Sequence, residues 1–177
     1  MSDTRNLHNL ALVGFMGTGK STIGRIAAEQ LQFGFVDTDH WIETQLGRSI
    51  QDIFANEGEA AFRQYEKQAL EGLSQQRNLV IAAGGGLVMD PANLASLKAH
   101  SLVICLWASP ETIWERVKTQ THRPLLQAPD PLAKIRELLA ARSSAYKQAD
   151  VLIDSGFRSP REAAQQIIHQ FHIARRR

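Results

Sequence analysis

Gly14-Phe15-Met16-Gly17-Thr18-Gly19-Lys20-Ser21 satisfies the pattern G-x-x-x-x-G-K-[ST], which composition alone would produce in a chain this long about once in a hundred or less. Its surroundings fit. An apolar run at residues 10–13 precedes it, and a helix-period stretch follows from Lys20 to about Gln32. Glycines let such a loop bend and bring backbone N–H groups around phosphate oxygens. The helix that begins at Lys20 adds the positive end of its dipole. Gly17, Thr18, Gly19, Lys20, Ser21 and Thr22 are therefore expected to hold a nucleoside triphosphate. Lys20 reaches the β- and γ-phosphates in this reading, and the Ser21 hydroxyl holds Mg²⁺.

Working outward, four more short apolar runs occur at residues 35–36, 79–83, 102–107 and 151–153. Longer amphipathic stretches separate them, two opened by Ser109-Pro110 and Ser159-Pro160, since serine caps a helix and proline suits its first turn. Nearly continuous apolar runs alternating with helices predict a five-stranded parallel sheet covered on both faces. The fold class is α/β, a P-loop NTPase fold, with ligands at the carboxyl ends of the strands. The 177 residues, 44% of them hydrophobic, predict a single domain over 1–177, close to the usual size of about 150. Two stretches break the alternation: residues 40–76, with two helical patterns in succession, and residues 117–131, with Pro124, Pro129 and Pro131. Both read as insertions over one end of the sheet, where substrate sites and lids sit.

Composition excludes several classes. Twenty basic side chains stand against 18 acidic ones, so no global field favours nucleic acid or an anionic membrane. Arg175-Arg176-Arg177 is a short solvated tail, too few charges for nucleic acid. Cys105 is the single cysteine and lies in an apolar run, the setting of a buried inert thiol. His169 and His172 lack the partners of a recognisable zinc pattern. No apolar stretch reaches membrane-spanning length and no leader is visible. The expected protein is cytoplasmic, and monomeric for want of an exposed apolar stripe.

A phosphate loop alone does not separate kinases from ATPases or switches, so the other polar residues decide. Asp37 and Asp39 follow the second run two apart and point to one side if extended. One suits Mg²⁺, the other an acceptor hydroxyl. Gly84-Gly85-Gly86 ends the third run without an acidic residue, which leaves Asp37 as the better metal support and suggests close approach of backbone to a ligand. Arg63, Arg116, Arg123 and Arg142 are the candidate cations. Arg123 stands before Pro124-Leu125-Leu126 in the expected lid, where an arginine can close on transferring phosphate charge.

Taken in order, these pieces resemble the shikimate kinase family. The resemblance rests on the phosphate loop, Asp37-Thr38-Asp39, Gly47-Arg48-Ser49-Ile50, Asp52-Ile53-Phe54, Glu57-Gly58-Glu59, Phe62-Arg63 followed by Glu66, the triple glycine, Arg123-Pro124-Leu125-Leu126, and Arg142 before Tyr146. It implies ATP-dependent phosphorylation of the 3-hydroxyl of shikimate, towards chorismate, on a fold like that of nucleoside monophosphate kinases. It further implies that Asp39, Arg63, Gly85 (with its neighbours Gly84 and Gly86) and Arg142 hold shikimate, and that Ser21 and Asp37 serve Mg²⁺. Lys20 and Arg123 would meet phosphate, while Arg116 and residues 158–160, including Arg158 and Pro160, would flank adenine. Arginine forks match a carboxylate bidentately, which suits Arg63 and Arg142. One departure is Ala83, where many members carry a hydroxyl. The competing readings are a gluconate kinase of the same architecture and a nucleotide-binding switch that makes no product; the block at 47–66 favours the shikimate family.

Overall fold

A computed structural model describes residues 5–120 and 128–176. Five strands form one sheet: β1 (Asn9–Val13), β2 (Gly34–Asp37), β3 (Leu79–Ala82), β4 (Ser101–Trp107) and β5 (Val151–Asp154). Their order is β2-β3-β1-β4-β5 and every pairing is parallel. The expected strands are all present. Because β1 has β3 on one side and β4 on the other, the connections diverge at its carboxyl end and open a crevice there.

Alternation along β1 sends its side chains to two cores. Ala11 and Val13 pack with Ile81, Val103 and Cys105 under α3 (Ile50–Ser74), α4 (Pro91–His100) and α6 (Pro131–Tyr146). Leu10 and Leu12 pack on the other face with Ile23, Ala27, Ile167 and Phe171 of α1 (Lys20–Leu31) and α7 (Pro160–Ala174). A third, smaller cluster of Ile42, Ile53, Phe62 and Ala69 gives the 40–76 insertion its own core between α2 (Thr38–Leu46) and α3. The two helical patterns expected there are present, with a break the sequence reading did not place. At Gly58, φ is 82° and ψ 177°, a conformation open to glycine, and it divides α3. Cys105 is buried, and burial pushes its thiol up to about 11, so it is inert as expected.

The amino ends of the strands are fastened by a buried polar knot. Asn9 accepts from the Leu79 N–H at 3.0 Å and donates to Gln76 O at 2.8 Å, which fixes its amide orientation. Its remaining proton faces His100 Nδ1 at 3.1 Å, and Ser101 Oγ lies 2.9 Å from the same nitrogen. That nitrogen therefore accepts, and the neutral ring carries its proton on Nε2, which is buried without a hydrogen-bond partner among the described residues. Burial, helped by nearby His8, lowers the His100 pKa below its ordinary 6.5. Above that pH both folded and unfolded chains hold the ring neutral and the knot is intact. As pH falls below it, the unfolded chain takes up a proton that the folded one resists, and stability drops. His100→Gln is expected to lose less melting temperature than the parent between about pH 7.5 and about pH 5.5, read by thermal denaturation.

Candidate active site

A cleft of about 390 Å³ opens at the carboxyl ends of β1, β2 and β3. Gly17, Gly19, Lys20, Ser21, Thr22, Asp37, Asp39, Gly84, Gly85 and Arg116 line it, all of them residues expected from the sequence. Met16 of the phosphate-loop octapeptide, Ala83 before the triple glycine, and Gln120 line it too; nothing in the type or spacing of Gln120 signalled this.

The donor side is the loop between β1 and α1. Gly14, Gly17 and Gly19 have φ of 133°, 74° and 94°, left-handed values that side chains rarely adopt. At Gly14 a Cβ would also stand 2.2 Å from Leu106 O, so the loop lies flush against β4. Helices α2, α3, α4, α6, α7 and α5 (Pro110–Val117) each begin under a capping side chain from Asp37, Ser49, Asp90, Asp130, Ser159 and Ser109 respectively. Among the described α-helices, α1 alone begins at a glycine with no side-chain cap and no acid in its first turn, leaving its N–H groups and dipole to an anion. Lys20 Nζ reaches back to Gly14 O and Phe15 O, both at 2.8 Å, so its charge sits over the loop. Thr18 is fully buried and donates to Phe15 O at 2.8 Å; what it offers the cleft is backbone.

Ser21 Oγ donates to Asp37 Oδ2 at 2.7 Å. A hydroxyl and a carboxylate side by side beneath the phosphate loop are the hard oxygens that Mg²⁺ prefers. No cluster of three or more acidic, His or Cys ligands exists among the described residues. The extended pairing of Asp37 with Asp39 is corrected. Asp37 caps α2, accepting from Asp39 N at 3.1 Å and His40 N at 3.4 Å, so Asp39 rides on the first turn of the helix. Both carboxylates still line the cleft, and the helix amino end favours their charge.

The acceptor side is organised by the three glycines, each against one functional side chain. A Cβ at Gly84 would lie 2.6 Å from Asp39 Oδ1, one at Gly85 would lie 3.6 Å from Arg142 Nη1, and one at Gly86 would lie 2.8 Å from Arg63 Nη1. Side chains thus fill the space a Cβ would need at Gly84 and Gly86, while Gly85 meets Arg142 and Gly14 O at ordinary contact distance. Arg63 bonds Glu66 and Glu59, each at 2.7 Å. Burial works against its charge, but these hydrogen bonds hold its pKa above the ordinary value. Glu66 is 1% exposed. Burial pushes its carboxyl up and Arg63 pulls it back. Arg142 lies over the Phe15 ring at 5.4 Å and within 3.4 Å of Gly85 O.

Arg116 donates to Gly17 O at 3.1 Å and to Ser155 O at 2.6 Å, while Ser155 Oγ donates to Thr18 O at 2.7 Å. These bonds tie the phosphate loop to the segment after β5. Arg158 donates to Asp154 O at 2.7 Å and Pro160 opens α7; both belong to that segment and neither lines the cleft. Arg123, with the central part of the expected lid, lies outside the described residues.

Comparison with known proteins identifies the family and the fold. The family model described as shikimate kinase matches residues 16–172. A shikimate kinase of Thermodesulfovibrio yellowstonii is 41% identical over 165 residues, 93% of this chain and 95% of that protein. The structure of the shikimate kinase from Acinetobacter baumannii in complex with shikimate superposes with a TM-score of 0.89 at 38% identity, covering 96% of this chain and 95% of that one. A gluconokinase from Sinorhizobium meliloti, at 16% identity and a TM-score of 0.62 over 97% of this chain and 95% of that one, shares the fold alone.

Proposed function

The chain belongs to the shikimate kinase family, and from that premise we propose how its cleft divides the ATP-dependent phosphorylation of shikimate, a step of aromatic amino-acid biosynthesis. The observation that carries the reading is the glycine turn at 84–86: Gly84 and Gly85 line the cleft with Asp39 and the phosphate loop, and Arg142 and Arg63 stand against Gly85 and Gly86 just beyond that lining. A carboxylate that accepts from hydroxyls, beside two arginines that fork onto a carboxylate, complements a polyhydroxylated acid.

In this reading ATP lays its phosphates along Gly17–Thr22 with Lys20 on the β- and γ-phosphates. Its base lies towards Arg116 and the segment of Arg158 and Pro160. Arg63 and Arg142 hold the carboxylate of shikimate, and Gly84, Gly85 and Gly86 shape the wall beneath its ring. Asp39 accepts the hydrogen bond of the 3-hydroxyl and aims that oxygen at the γ-phosphorus. The new bond is O3–P, the bond to the β,γ-bridging oxygen breaks, and ADP leaves. Ser21 directly, and Asp37 through water, would hold Mg²⁺, which when bound neutralises charge between the phosphates. Little general-base help is needed in a loose transition state, so positioning and charge neutralisation carry the rate. Arg123 would add its charge from the lid.

We place the enzyme in the cytoplasm as a monomer engaging neither nucleic acid nor membrane. The net charge of +2 gives no field favouring nucleic acid or an anionic membrane, and no helix among the described residues is long and apolar enough to cross a membrane. Among the described residues, the exposed large apolar side chains lie on α3 (Phe54), the β4–β5 edge (Trp107, Leu152) and the loop after β5 (Phe157).

A coupled ADP-release assay with shikimate, gluconate and nucleoside monophosphates tests the acceptor. Turnover is expected with shikimate; strong turnover only with gluconate would overturn the assignment, and no turnover with any acceptor would favour a nucleotide switch.

A further inference from the structure

We propose that the buried hydroxyls of Thr38 and Tyr146 are positioning groups that pin the glycine turn from opposite sides and so set the span between Asp39 and Arg142. The proposal rests on the assignment of that turn to the shikimate side of the cleft.

Thr38 is the first residue of α2, between the two aspartates, and is fully buried. Its Oγ1 accepts from the Gly84 N–H at 2.9 Å. Tyr146 is the last residue of α6, one turn beyond Arg142, and is 6% exposed. Its hydroxyl donates to Gly85 O at 2.6 Å, and burial holds its pKa above the ordinary value. The two bonds grip adjacent residues of the turn. One ties the turn to the helix that carries Asp39, the other to the helix that carries Arg142. Without Tyr146 Oη, Gly85 O keeps only the 3.4 Å approach of Arg142 Nη1, a long contact for a hydrogen bond. Without Thr38 Oγ1, the half-buried Gly84 N–H loses the bond that ties it to α2.

Neither hydroxyl touches the phosphate loop, so their effect should fall on one substrate only. A group that merely stabilised the fold would disturb both, because donor and acceptor share one cleft. Two substrate-holding side chains on different helices can be kept in register only through what lies between them, and here that is the backbone of residues 84–85. A misplacement of about 1 Å at such a site has large consequences for binding and rate.

The test is isothermal titration of the full chain with shikimate and, separately, with ADP, alongside melting temperature. Thr38→Val and Tyr146→Phe remove one hydroxyl each at nearly constant shape. Each is expected to weaken shikimate binding about five- to tenfold, the effect of one hydrogen bond. ADP affinity should stay within about twofold, and Thr38→Ser, which keeps the hydroxyl, should bind shikimate like the parent. Equal weakening of ADP and shikimate would show a general structural role and overturn the proposal, as would parental shikimate affinity in both variants. If Thr38→Val does not fold, Tyr146→Phe and Thr38→Ser still decide. Should the parent itself fail to bind shikimate while binding ADP, the acceptor assignment falls first, an outcome distinguishable from failure of the two hydroxyls alone.

Discussion

Replacing Arg63 with alanine is expected to lower kcat/KM for shikimate by about a thousandfold while ATP still binds. Two losses add. The fork that holds the acceptor carboxylate disappears, and each charged hydrogen bond of that kind contributes roughly 1.5–3 kcal/mol. In addition Glu66, 1% exposed and bonded to Arg63 Nη1 at 2.7 Å, is left as a buried carboxyl without its cation. Burial already raises its pKa and Arg63 is what offsets this, so in the variant Glu66 shifts towards its protonated form. Arg63→Lys separates the two losses. Lysine keeps a positive charge near Glu66 but lacks the planar fork, so this variant should melt near the parent temperature yet remain about a hundredfold impaired on shikimate. Steady-state kinetics with ATP and shikimate varied in turn read both. Normal turnover by Arg63→Ala would remove the carboxylate clamp from the account.

Adding one methyl at Gly84 should be nearly as damaging. The backbone there is not left-handed, so alanine is conformationally acceptable; the obstacle is space. Its Cβ would stand 2.6 Å from Asp39 Oδ1, 3.4 Å from Asp39 Cγ and 3.3 Å from Glu66 Oε1. Glu66 is locked by its buried ion pair, which leaves Asp39 as the group that gives way. A shift of about 1 Å in a group that aims the attacking oxygen costs on the order of a hundredfold in rate. Gly84→Ala should therefore lose about a hundredfold in kcat with ADP affinity intact, and stability should fall by about 1–3 kcal/mol from overpacking. Rapid-quench measurement of the chemical step reads the first, and denaturant unfolding the second. A parental kcat would show that Asp39 does not aim the acceptor from that position.

The phosphate loop was legible because its chemistry is local. Glycines, a lysine and a serine in one octapeptide specify backbone geometry and charge together, and the loop has the left-handed glycines that this requires. The sheet was legible for a similar reason, since strands buried on both faces leave unbroken apolar runs. The acceptor side was legible in residue type but not in geometry. Asp37 and Asp39 look like an extended pair by spacing, yet Asp37 instead caps a helix. That choice depends on where α2 starts. The glycine triplet suggested close approach of backbone to a ligand; the folded chain shows Asp39, Arg142 and Arg63 packed against it. Glu66, Thr38 and Tyr146 were visible as letters of a family pattern. Their contacts join positions 3 to 61 residues apart, and the longer of these separations carry no periodicity for a sequence to display. The break at Gly58 was missed because a glycine inside a helical pattern is usually tolerated.

The central claim is that one cleft seats a triphosphate on Gly17–Thr22 and a hydroxylated acid between Asp39, Arg63 and Arg142. A crystal structure of the full chain with ADP and shikimate tests it most directly. The account predicts the shikimate carboxylate forked by Arg63 and Arg142, with the 3-hydroxyl bonded to Asp39 and facing the β-phosphate of ADP. Shikimate bound with its carboxylate away from both arginines, or with its 3-hydroxyl turned from the phosphate loop, would contradict it.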